Sequence, residues 1–163
     1  MHKTIPPAVK GLITAILMIA LVLMIYYAGD TADPNIQYGV YAIYGAGLVW
    51  TLLSYRKSDH FTGSFASVFN QGFRCFIVVT LVVVAFTGIF SNMHPEFAEQ
   101  SSLAYKQQLV ALNEKTPLEI DREVSNYKKQ FTLRLVSVSI FGYLIIGAGV
   151  TAITAVLLTR RRK

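Results

Sequence analysis

"TPLEIDREVSNYKKQFTLRLVSVSIFGYLIIGAGVTAITAVLLT", residues 116–159, decides the fold. Its first half is densely charged, and after Arg134 it contains no Asp, Glu, Lys, Arg or His. Neither Gly nor Pro interrupts it between Pro117 and Gly142, so one helix is predicted across both halves. Thr116 suits the N-cap, Pro117 the first helical position, and Glu119 completes a capping box. Ile120, Val124, Tyr127 and Phe131 follow at helical spacing. From Leu118 to Leu158 such a helix would be about 61 Å long at 1.5 Å per residue, roughly twice the ~30 Å hydrocarbon thickness of a bilayer. A chain built around it is a membrane protein whose last span continues into an aqueous segment.

Composition agrees. Of 163 residues, 53% are apolar and 15% charged, against about 25% charged in a soluble domain. The charges cluster and leave four long uncharged windows: Gly11–Ala28, Ile36–Tyr55, Cys75–Ser91 (preceded by "SVFNQGFR") and Leu135–Thr159. Windows of this length read as transmembrane helices. The first is longer than the apolar core of a signal peptide and lacks a clean cleavage site, so it is expected to remain as an anchor. The single cysteine, Cys75, has no partner for an internal disulfide and reads as a small hydrophobe.

The spans divide the polar segments into two sides. One side holds Lys3, Lys10, Arg56, Lys57, Arg74 and the C-terminal "RRRK", with Asp59 its lone acid. The other holds 29–35 and 92–134, where acids outnumber bases. Cytoplasmic loops retain Lys and Arg, so both termini are expected inside. The formal charge of +6 then reflects topology and anionic lipid, not nucleic-acid binding. Tyr26, Tyr27, Tyr38 and Tyr41 fall at the outer boundary, and Trp50 and Tyr55 towards the inner one, where amphipathic rings prefer to sit.

On the inner side, Phe61, Phe65, Phe69 and Phe73 recur every four residues. They predict a short interfacial helix over 61–72 that turns at Gly72 into span three, its stripe lying in the membrane interface or packing on the bundle. Arg74 follows one turn inside, either as an intramembrane functional cation or with its side chain reaching back to the interface. On the outer side, "HPEFAEQSSLAYKQQLVALNEK" predicts a helix beginning near Pro95, with Ala98, Tyr105, Leu109 and Leu112 on one stripe. Asn113–Lys115 form a break. This helix is expected to fold back on the one that starts at Pro117, giving a helical hairpin over 95–134.

These features resemble an uncharacterised bacterial family of four-helix transmembrane proteins, defined as a domain of unknown function. The resemblance rests on the basic N-terminus, on "SFASVFNQGF" before span three, and on "HPEF…LNEKTPLEIDREVSNYKKQF" in the outer segment. It implies a bacterial inner membrane with the outer side periplasmic, and it carries no functional residue onto this chain. The resulting expectation is an all-α, single membrane domain over 1–163. Its four-helix up-down bundle spans about 11–28, 36–55, 73–91 and 135–158, with the periplasmic hairpin between helices three and four.

No catalytic signature stands out. The histidines are scattered over both sides, no Cys/His spacing suits zinc, and the P-loop, zincin and nucleophile-elbow motifs are missing from the sequence. The spans contain no ionisable relay. The chain therefore reads as non-catalytic, without metal or cofactor, and as an accessory or assembly component of a cell-envelope system. Its partners would be the lipid bilayer and either a second copy or a membrane protein engaged through the hairpin. The other reading is a small oligomeric carrier of a neutral or lipid-like solute; an enzyme acting on a lipid-linked substrate stands behind both. Finally, "IYGAGL" at 43–48 and "IIGAGV" at 145–150 repeat a Gly-Ala-Gly core. Gly45, Gly47, Gly147 and Gly149 are expected near the membrane midplane, Gly47 and Gly149 roughly 13–17 Å from the inner boundary at 1.5 Å per residue. There they would let spans two and four approach.

Overall fold

The computed structural model describes residues 5–28 and 35–160, with side-chain environments given for 5–27 and 38–160. Its element order is α1 (Pro7–Ala28), α2 (Asn35–Arg56), α3 (Phe65–Met93), α4 (Glu96–Leu112) and α5 (Pro117–Arg160). α5 is a single 44-residue helix, as the uninterrupted sequence predicts.

Among the described residues three helices are long and apolar enough to cross a membrane: Pro7–Tyr27, Phe65–Met93 and Pro117–Arg160. Only 28%, 28% and 17% of their apolar windows are buried within the protein. Met24, Leu81, Phe141, Ile145 and Ile153 are all exposed. In water such a surface would drive aggregation; in a bilayer it faces lipid at no cost. α2 is 22 residues long but less apolar. Tyr38, Tyr41, Tyr44, Gly39, Gly45 and Gly47 dilute it, so freedom from charge alone does not give it the hydropathy of the other three.

The sequence reads as one domain, but the contacts gather into two compact units. Unit 1 comprises 1–83 and 140–163, and unit 2 comprises 84–139. In unit 1, α1, α2, the first part of α3 and the last part of α5 share a core. Ala15, Met18, Val40, Tyr44, Leu48, Cys75, Phe76, Val79 and Val83 form its larger cluster. Leu52, Val68, Ala155 and Leu158 form a second one.

In unit 2, α4 pairs with the start of α5. Leu109 and Ile120 are buried, each contributing about 1.5–3 kcal/mol by leaving water. Tyr105 stacks on Tyr127 with ring centroids 4.6 Å apart. Ion pairs tie the two helices: Lys106 to Asp121 at 2.7 Å and Lys128 to Glu99 at 2.6 Å. The turn between them uses Asn113 in the left-handed region, at φ 50°. The capping box forms as the sequence reads: Glu119 Oε2 accepts from the Thr116 amide at 2.9 Å, and the Glu119 amide donates to Thr116 Oγ1 at 3.4 Å. These backbone and side-chain bonds hold the Glu119 carboxyl below its ordinary range. The Glu123 carboxylate, hydrogen-bonded to Lys115, pushes the Lys115 ammonium above its ordinary range. Leu112 is exposed and departs from the expected stripe, whereas Ser102 is buried on it. Leu112 is the last residue of α4, where the chain leaves the helix at Asn113.

The separate interfacial helix over 61–72 does not form. Residues 61–64 are non-helical, with Gly63 at φ 71°, and α3 then runs without a turn through Gly72. Ser64 caps it, its hydroxyl accepting from the Ser67 amide at 3.3 Å. Gly72 is a packing residue: a Cβ there would lie 2.3 Å from Thr151 Cγ2.

Candidate functional site

The glycines of the two Gly-Ala-Gly copies play opposite parts. A Cβ on Gly47 would lie 2.3 Å from Thr14 Oγ1, and one on Gly147 would lie 2.2 Å from the Tyr44 hydroxyl and 2.9 Å from Phe76. Gly45 and Gly149 have no such neighbour within 4 Å. Gly47 therefore seats α2 on α1, and α2 meets α5 where Tyr44 crosses Gly147. The expected approach of α2 and α5 through Gly47 and Gly149 is absent, because at those helix rotations Gly149 points into open space. At Gly11 a Cβ would come within 2.6 Å of the Cys75 carbonyl oxygen, so α1 and α3 touch backbone to backbone.

Polar side chains thread these crossings. The Thr14 hydroxyl donates to the Lys10 carbonyl at 2.9 Å, and that of Thr51 to the Gly47 carbonyl at 2.9 Å. Thr51 Oγ1 also lies 3.3 Å from Cys75 Sγ. The Tyr44 hydroxyl donates to the Tyr143 carbonyl at 2.9 Å, bridging α2 to α5. Thr151 is fully buried with no hydrogen-bond partner for its hydroxyl.

This seam leads to a cleft of about 200 Å³ lined by Ile5, Pro6, Pro7, Lys10, Thr51, Tyr55, Ser58, His60 and Gln71. Local sequence builds it. Pro7 starts α1 one turn before the uncharged window, which brings Lys10 into the helix. The Ser58 hydroxyl donates to the Tyr55 carbonyl at 2.7 Å, closing the turn after α2. The Tyr55 hydroxyl donates to the His60 carbonyl at 2.9 Å and also bonds Ser67. Lys10 is only 5% exposed. Its Nζ sits 5.4 Å from the centre of the Trp50 ring, and among the described residues no carboxylate pairs with it.

The other residues singled out by sequence lie outside the cleft. Phe61 packs edge-on against Tyr55 at 5.7 Å. Phe65 stacks on Phe69 at 5.8 Å, and Phe73 meets Phe76 edge-on at 5.2 Å. Phe65 and Phe73 are also partly exposed. Arg74 is exposed on α3 and makes no ion pair among the described residues. Sequence reasoning counted Lys10 as one cation among many. Pro6-Pro7 marks a helix start before Lys10, while the burial of the lysine depends on residues distant in sequence.

No group of metal-ligating side chains occurs among the described residues. The model of a family described as protein of unknown function, DUF4199, matches residues 10–160. The chain belongs to that family. No curated protein and no solved structure matches it.

Proposed function

We propose that this member of the DUF4199 family is a non-catalytic inner-membrane protein serving as an accessory or assembly component of a cell-envelope system. In this reading α2 is a fourth span and both termini are cytoplasmic. The α4–α5 pair is then a periplasmic hairpin that docks a membrane-protein partner. The observation that carries the proposal is the construction of that pair. Ion pairs, a stacked tyrosine pair and a capping box fix its shape, while Leu103, Val110, Leu118 and Leu133 remain exposed on it. Leu103 and Val110 are seven residues apart on α4 and so share a face. A rigid element with apolar residues left outside suits protein contact better than chemistry.

The test is purification of the tagged protein in mild detergent. A stable heteromeric partner, lost when Leu103 and Val110 are both changed to Ser, is the expected result. The unpaired Thr151 hydroxyl favours a second reading, an oligomeric carrier of a neutral or lipid-like solute. A homo-oligomer with a continuous polar cavity would replace the accessory role with that one.

A further inference from the structure

The Lys10 cleft carries an inference independent of the hairpin's role. A buried ammonium loses its hydration and needs a compensating partner. Lys10 is 5% exposed, and the Trp50 face 5.4 Å away supplies only part of that compensation. His60 and Gln71 line the same cleft, and the side chain of each can donate a hydrogen bond; the Ser58 hydroxyl is already committed to the Tyr55 carbonyl. Among the described residues no acid lines it: Asp59, between Ser58 and His60 in sequence, is outside the lining. The cleft's size decides the class of guest. At about 200 Å³ it is smaller than the roughly 300–1,000 Å³ of pockets that enclose a drug-sized ligand. It holds a small anionic group and leaves any attached chain outside.

We propose that this cleft binds a phosphate group, with Lys10 Nζ supplying the charge and the side chains of His60 and Gln71 the neighbouring donors. Phosphate is the fitting anion because Lys10, His60 and Gln71 border one small volume, and a lysine contributes a point charge to such a site. The group can come from an anionic phospholipid or from a soluble phosphate. Basic pockets between helices at the cytoplasmic face are where lipid headgroups are held.

The protein carries its own reporter. Trp50 is its single tryptophan, and it lies on the lysine. The full-length protein in dodecyl maltoside micelles is titrated with phosphatidylglycerol, with phosphatidylcholine and with inorganic phosphate, and Trp50 emission is followed. Phosphatidylglycerol is expected to give a saturable change that phosphatidylcholine does not. Lys10→Gln should weaken it about tenfold and Lys10→Arg largely preserve it. Lys57→Gln removes an exposed cation outside the cleft and should leave affinity within about twofold, which separates the cleft from general attraction to a basic surface. A saturable response to inorganic phosphate with the same Lys10 dependence supports the proposal and assigns a soluble source. Equal binding by the native protein and Lys10→Gln overturns it, as does no response to either phosphate source. If Lys10→Gln does not fold, the exposed His60 carries the test. His60→Ala is then expected to weaken binding about threefold, and unchanged affinity overturns the site.

Discussion

Unit 1 and unit 2 are both helical, yet different physics holds each together. In unit 1 helices touch through glycines, and the Tyr44 hydroxyl bridges α2 to α5 by a bond to the Tyr143 carbonyl. In unit 2 the helices are joined by lysine–carboxylate pairs and stacked tyrosines at the surface. The first arrangement suits lipid, where apolar area gives no driving force between helices and close backbone approach does. The second suits water, where burial of Leu109 and Ile120 supplies the energy and ion pairs add a little. The comparison teaches that small residues join the helices of one unit, and charged and aromatic side chains those of the other.

The largest effect should come from filling a unit 1 crossing. Gly47→Leu forces atoms into Thr14, whose hydroxyl is tied to the Lys10 carbonyl. A loss of about 2–3 kcal/mol or more is expected, read as a collapse of the thermal midpoint in detergent. Gly149→Leu should stay within about 0.5 kcal/mol, because open space surrounds it. Equal damage from both would break the assignment of Gly149 to an open face.

Next comes the core of unit 2. Leu109→Ala should cost about 2 kcal/mol or more and raise amide exchange across α4 and the start of α5. Tyr44→Phe removes one bridge from α2 to α5 and should cost about 1 kcal/mol, measurable in the same melting assay. Breaking the exposed Lys128–Glu99 pair with Lys128→Ala should cost about 0.5 kcal/mol or less and vanish in high salt. A large, salt-independent loss there would mean that the pair is not solvated as its exposure indicates.

Smallest is the acid response of the capping box. The Glu119 carboxyl is depressed in the folded state. Its contribution is therefore present above the ordinary carboxylate pKa and is lost as pH falls through the lower native value. Fraying at Thr116–Glu119, seen in amide chemical shifts, should begin only below the ordinary carboxylate range and be absent in Glu119→Ala.

The sequence made the parts with local causes legible. The capping box needs only residues 116–119, and the α5 helix only the lack of Gly and Pro before Gly142. The turn after Leu112 was visible as Asn113–Lys115. What depended on distant partners was not. Gly72 reads as a turn by itself, because glycine both breaks and packs helices; only Thr151 across the crossing decides between them. The two Gly-Ala-Gly copies look equivalent in sequence. Their packed glycines differ in position, Gly47 in one and Gly147 in the other, because neighbouring helices set the rotation. The Lys10 cleft was invisible for the same reason: Lys10, Thr51, His60 and Gln71 come from separate parts of the chain.

The burial of Cys75 has a practical consequence for topology mapping. It is the protein's single thiol, fully inaccessible and seated against Thr51. The native sequence thus already behaves as a silent background for membrane-impermeant maleimides. A cysteine placed at Lys57 and another at Gln107 would each give one reactive label, on opposite sides of the bilayer if the proposed orientation holds. Labelling of both from the same side of sealed vesicles would overturn it.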